Sequence, residues 1–281
     1  MIVILRQCGE RTAARALAAL KGQNVVVLKD LFPFEAMLRR CYEVAVQSGE
    51  EWALTVDADV VLLPRFWPAL KHWIAASQSD SKLAHFQPVC RDNLLGIDRP
   101  VGVRVYRTPV LARFTGVIPE PDDVFRPESF VVKAMREAGF ADGHMPVLAG
   151  FHDYLQYYRD IFRKAFVQFF KFRQPGVNPG LDRTEAKVVK LAYEKAAAAK
   201  AEGFLNAPGM AAAATAALRE AGIQERGPLS DSEFNQWYQY ESLILAQPGA
   251  RAGGAGAGLA GRHQTVGGLM GRSRVPAVHH K

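Results

Sequence analysis

Residues 52–64 read Trp52-Ala53-Leu54-Thr55-Val56-Asp57-Ala58-Asp59-Val60-Val61-Leu62-Leu63-Pro64. An apolar run of this length suits a strand covered on both faces. It ends in two carboxylates one residue apart, with only the small Ala58 between them. The chain then leaves through an apolar exit and a proline. Ligands of open α/β sheets bind outside the carboxyl ends of the strands. Two carboxylates clustered there repel each other unless a cation lies between them, so a divalent metal is the expected companion.

The segments around this stretch alternate in period. Ile2–Leu5 reads as a strand, followed by an Ala/Leu-rich helix to about Leu20. Asn24–Leu28 is a second strand, and Pro33 opens a helix through about Gln47. Trp52–Val56 is the third strand. Pro64 to about Ala76 is a helix, Leu83–Val89 a strand, and Val101–Tyr106 another. This alternation predicts a mostly parallel sheet with helices on its faces. Ile118–Asp123 is a proline-rich loop, and Pro127 suits the first turn of a helix ending near Ala138. Met145–Leu148 is a short strand that leads directly into His152 and Asp153. From Asp153 to about Phe172 the pattern is helical, and Thr184–Ala201, Met210–Ala221 and Asp231–Leu245 are further helices, with Thr184-Glu185 and Ser230-Asp231 as capping groups. The expected organisation is a catalytic α/β unit over 1–172, a helical region over 173–247 and a Gly/Ala-rich disordered tail over 248–281.

Of the net charge of +7, the tail from Pro248 carries +5 and leaves only +2 for the other residues. The body is no polycation, which argues against a nucleic-acid partner. No apolar run approaches the roughly 20 residues that span a bilayer. Three scattered cysteines, Cys8, Cys41 and Cys90, show neither metal spacing nor a disulfide framework. These features predict a cytoplasmic protein.

The pattern from Leu54 through Asp57-Ala58-Asp59 to Leu63-Pro64-Arg65-Phe66 resembles the Asp-x-Asp segment of GT-A nucleotide-sugar glycosyltransferases, in particular glycosyltransferase family 2. The resemblance covers about residues 1–172. It implies a GT-A-like (Rossmann-like) fold and transfer of a sugar from a UDP- or GDP-linked donor to a saccharide, lipid-linked or protein hydroxyl. It implies a Mn²⁺ or Mg²⁺ ion on Asp59, with Asp57 on the metal or the ribose. A late histidine that is often a further ligand in such enzymes matches His152, and Asp153 would orient its imidazole or cap the next helix. Family 2 also carries a Glu-Asp pair whose Asp is the catalytic base. Here the pair is Glu128-Ser129, and serine cannot take a proton at neutral pH. Glu128, or Asp122 or Asp123 in the preceding loop, then becomes the candidate base. The nucleotide would lie over the loop after the first strand, with Arg6, Glu10 and Arg11 as candidate contacts, joined by Asp30 and Arg40.

The aromatic-basic segment Tyr154–Phe172 has two expectations. Its aromatic stripe suits a core-facing helix. The alternative is a helix lying on an anionic membrane with Arg159, Arg163, Lys164 and Lys171 outward, as a lipid-linked acceptor would require. Two competing functions share the Asp57-x-Asp59 motif. One is a haloacid-dehalogenase-type phosphohydrolase, with Asp57 as nucleophile, although that motif ordinarily follows the first strand. The other is a nucleotide-sugar-binding protein that has lost turnover.

Overall fold

The computed structural model describes residues 1–121, 126–172, 176–199 and 207–246. Eight strands form one sheet: β1 (Ile2–Gln7), β2 (Val25–Lys29), β3 (Trp52–Asp57), β4 (Val60–Leu62), β5 (Leu83–Asp92), β6 (Ile97–Pro100), β7 (Val103–Arg107) and β8 (Ala141–His152). Their order is β2-β1-β3-β7-β5-β8-β4, with β6 paired to β5. Strands β1, β2, β3, β5 and β8 run one way, while β4, β6 and β7 run the other.

Alternation along the strands explains the layers. On β1, Val3 and Leu5 face one side and Ile2 and Ile4 the other, all almost wholly buried. The first side is covered by α1 (Ala13–Ala19) and α3 (Phe66–Ala76), through Ala13, Ala16, Phe66 and Leu70. The second is covered by α2 (Phe34–Gln47) and, beyond the short α4 (Thr108–Leu111), by α5 (Pro127–Glu137). Burial on both faces is why β1 and β3 read as continuous apolar runs.

One feature of the topology was hidden from the sequence. Only Ala58 and Asp59 separate β3 from β4, yet these strands stand third and seventh in the order. In a flat sheet four strand spacings span about 19 Å, whereas the link reaches at most about 11 Å. The sheet therefore curls until β4, paired with β8, returns beside the end of β3. The Asp57–Asp59 turn sits at that closure. It is pinned by Asp57 N–H donating to Gly102 O, Ala58 N–H to Arg6 O and Asp153 N–H to Asp59 O. Gly150 is required there, because a Cβ would lie 2.4 Å from Val61 O.

Three more helices, α6 (Tyr158–Phe172), α7 (Arg183–Ala198) and α8 (Ala207–Glu220), close around a third apolar cluster. Residues 153–157, expected as helix, form a turn in which Asp153 and Leu155 have φ of 65° and 56°. Asp153 therefore caps nothing. The first N–H groups of α6, on Tyr158 and Arg159, donate instead to the Glu225 carboxylate. The cap of α7 is Asp182 with Glu185 in a capping box, two residues before the expected Thr184. Ile161, Phe162 and Ala165 of α6 are buried, so its apolar stripe is spent on the core. The last helix, α9 (Asp231–Ala246), lays Trp237 against Phe151 and Tyr154. Among the described residues, no helix is long and apolar enough to cross a membrane. The 248–281 tail lies outside the described residues.

Candidate functional site

The carboxyl ends of β1, β3, β5 and β8 deliver Arg6, Asp57, Asp92 and His152 to one place. Two buried networks of charge meet there.

The first lies on β1, β3, β7 and α5. Arg6 is 4% exposed and pairs with Asp57 Oδ1 at 2.7 Å and with Glu128 Oε1 at 2.5 Å. Glu128 Oε2 lies 3.2 Å from Arg104 Nε. Burial works against the Glu128 carboxylate, but the two guanidiniums outweigh it and hold its pKa below the ordinary range. Asp57 behaves in the opposite way. Burial and the neighbouring Asp59 charge overcome Arg6 and push it up to about 6.

The second network surrounds Asp59. His152 Nδ1 lies 3.0 Å from Asp92 Oδ2 and 3.2 Å from Asp153 Oδ2. Asp92 is fully buried and is held in turn by Arg99 at 2.5 Å and by the Leu95 N–H at 2.8 Å. This fixes the ring and leaves Nε2 facing Asp59 Oδ1 at 3.7 Å. That oxygen is buried and has no hydrogen-bond partner among the described residues. The other oxygen, Oδ2, pairs with Lys164 Nζ, which also pairs with Asp153 Oδ1. Burial raises Asp59, but the Lys164 ammonium and His152 more than offset it, to about 2. Burial likewise opposes the imidazolium of His152, yet Asp153 and Asp59 leave it above its ordinary range.

These residues suit a divalent cation. Asp59, His152 and Asp153 each offer one ligand atom within 4.8 Å of the others. Oxygen and imidazole donors match Mn²⁺, and an ion bonded at about 2.1 Å to each of two atoms bridges up to about 4.2 Å, enough for the 3.7 Å between Asp59 Oδ1 and His152 Nε2. A carboxylate behind the imidazole, here Asp92, is the usual support of a metal-bound histidine. Gly102 (φ 66°) permits the packing, since a Cβ there would lie 3.2 Å from the His152 ring and 2.5 Å from Val60.

Other expected residues are placed as follows. Glu10 accepts the Cys8 N–H at 2.7 Å, and burial together with the Asp59 charge raises it to about 7. Thr12 donates its hydroxyl to Ala58 O and accepts from Gln156 Nε2, tying the Asp57–Asp59 turn to the segment after β8. Asp30 is at the strand-end row, its N–H bonded to Gln7 O. Arg11 is not free for a nucleotide: it grips Glu233 in a bidentate pair and also Gly227 O and Leu155 O. Arg40 is exposed on α2 and pairs with Glu43 at 3.1 Å. Asp57 is not in the metal-capable trio, where Asp153 stands instead. Asp122 and Asp123 lie outside the described residues. Lys164 does not point outward, as a membrane-facing helix would have it.

Asp92, Arg99, Arg104, Lys164 and Gln156 were not anticipated as site residues. Asp92 obeys the strand-end rule that singled out Asp57, but the strand was expected to stop at Val89. Lys164 shares a helical stripe with the buried Ile161 and Gln168, a legible sign that its head is not in water.

No family model matches this chain, and no curated protein does. Solved structures resemble it weakly. A glycosyltransferase involved in the glycosylation of the major capsid of PBCV-1 is 16% identical with a TM-score of 0.35, covering 52% of this chain and 82% of its own. A cytidylyltransferase from Leptospira borgpetersenii is 9% identical at 0.39, covering 70% and 95%. S. aureus TarS, residues 1–349, is 14% identical at 0.36, covering 70% and 71%. The first two of these neighbours are transferases by name. Likeness at this level carries no conclusion about the chemistry of the present chain.

Proposed function

We propose that this chain transfers a sugar from a nucleoside-diphosphate donor, UDP- or GDP-linked, to an acceptor hydroxyl on a GT-A-like fold. The acceptor would be a saccharide, a lipid-linked glycan or a protein. One observation carries the proposal: buried Asp59 Oδ1, without a hydrogen-bond partner among the described residues, faces His152 Nε2 while Asp92 fixes the ring from behind. An orphaned buried carboxylate oxygen is costly unless a ligand completes it. Asp59, His152 and Asp153 would hold Mn²⁺ or Mg²⁺, which when bound neutralises charge on the leaving diphosphate.

The chain's own groups do the rest. Arg6 holds Asp57 at the end of β3, where its free oxygen would accept a ribose hydroxyl. Glu128, neutralised by two guanidiniums and depressed in pKa, is a poor proton acceptor and serves to position Arg6. Glu10, raised to about 7, is the strand-end carboxyl whose range suits proton transfer near neutrality. A binding protein without turnover is the second candidate, favoured by the neutralised Glu128 beside Ser129.

Calorimetric titration of UDP and of GDP, with Mn²⁺ and with chelator, tests the proposal on the wild type, Asp59→Ala and His152→Ala. Metal-dependent binding of one nucleotide, lost in both variants, is expected. Absence of binding under every condition would overturn it. Hydrolysis of the matching nucleotide sugar then separates enzyme from binding protein.

A further inference from the structure

The position between Asp59 and Asp153 is already held by a cation of the chain itself. Lys164 reaches from α6 with its side chain 20% exposed, and its ammonium pairs with Asp59 Oδ2 and Asp153 Oδ1 together. These are two of the three residues able to hold a metal. The ammonium is a point charge on a flexible four-carbon stem, free to withdraw without moving the backbone.

Charge decides whether both cations can stay. Among the contacting groups, Asp59, Asp92 and Asp153 supply three negative charges, and Arg99 and Lys164 two positive ones. With His152 neutral, as a metal ligand must be, one negative charge remains. A divalent ion added beside Lys164 would leave the buried cluster at +1, with two cations a few ångströms apart in a poorly solvated place, which is costly. The same ion with Lys164 withdrawn leaves it neutral.

We propose that Lys164 is the resident counterion of the site, and that a divalent ion binds only by displacing its ammonium from Asp59 and Asp153. Metal occupancy is thereby gated by a lysine that competes for the same carboxylates. This rests on the cation-holding role proposed above. It adds that metal affinity is held down by a residue that coordinates nothing.

Mn²⁺ titrated into the full chain without nucleotide tests this, read by heat and by loss of the free-ion resonance. Lys164→Met and Lys164→Gln are expected to tighten Mn²⁺ by about tenfold or more, and Lys164→Arg to leave it weak. Affinity in the Met and Gln variants no tighter than in the wild type would overturn the proposal. Should both variants misfold, the wild type still decides. Saturating Mn²⁺ should expose Lys164 to amine acylation, read by peptide mass spectrometry, and unchanged protection would contradict displacement. Nucleotide titrations on the same samples separate the two ideas: metal-dependent nucleotide binding with unaltered Mn²⁺ affinity in Lys164→Met sinks the gate alone.

Discussion

The two buried charge networks at the strand ends are neighbours and differ in one respect. In the network of Arg6, Asp57, Glu128 and Arg104, both Glu128 oxygens face guanidiniums and Arg6 spans two carboxylates. In the network of Asp59, His152, Asp153 and Lys164, Asp59 Oδ1 lies 3.7 Å from His152 Nε2 and has no hydrogen-bond partner among the described residues. A buried carboxylate with both oxygens paired, as at Glu128, is scaffold, because removing either partner strands the other. The open oxygen of the second network is where the proposed cation would bind, because a ligand would complete it.

Breaking the open network should show in binding. Asp92→Asn removes the carboxylate behind His152 without touching a ligand atom, and Mn²⁺ affinity should fall about 10–100-fold. Circular dichroism should show the fold retained. Equal affinity in the variant would mean that Asp92 supports packing alone.

Breaking the closed network should show in stability. Glu128→Gln leaves Arg104 without its carboxylate and Arg6 with Asp57 alone in a buried place, and unfolding free energy by denaturant titration should drop about 3–5 kcal/mol. Mn²⁺ affinity of the folded fraction should not change. Loss of metal with little loss of stability would reverse the roles assigned to the two networks.

Glu10 supplies the smallest effect. Its folded pKa, about 7, exceeds the ordinary 4.5 through burial and the nearby Asp59 charge. The folded state thus holds this proton more tightly than the unfolded chain. The stability it contributes is full below about pH 4.5 and is lost as pH rises through about 7. Glu10→Gln lacks that loss, so its melting temperature relative to the wild type should rise between pH 4.5 and 7 and level off above. A constant difference across that range would show that Glu10 is not raised.

Much of this frame is legible in the sequence where burial on two faces dictates it. Strands β1 and β3 and helices α1, α2 and α3 fall within a few residues of their expected places. What was illegible depends on pairing. Strand β4 is three residues long and reads as an exit, and only β8 makes it a strand. Strand β6, Ile97-Asp98-Arg99-Pro100, has no apolar alternation and exists through β5. Strand β8 was expected over four residues and spans twelve, because Asp142, Gly143 and His144 pair through backbone and give no hydrophobic signal. The site divides in the same way. Asp57, Asp59 and His152 follow from strand ends in sequence. Lys164 reaches Asp59 from 105 residues away, and no local pattern announces that meeting.

The most direct test of the open network is electron spin echo spectroscopy of Mn²⁺ bound to the chain. Modulation from one imidazole nitrogen is predicted, absent in His152→Gln and retained in Asp57→Asn. Bound Mn²⁺ without nitrogen modulation, or modulation that survives His152→Gln, would contradict the assignment of His152 and Asp59 as the cation site.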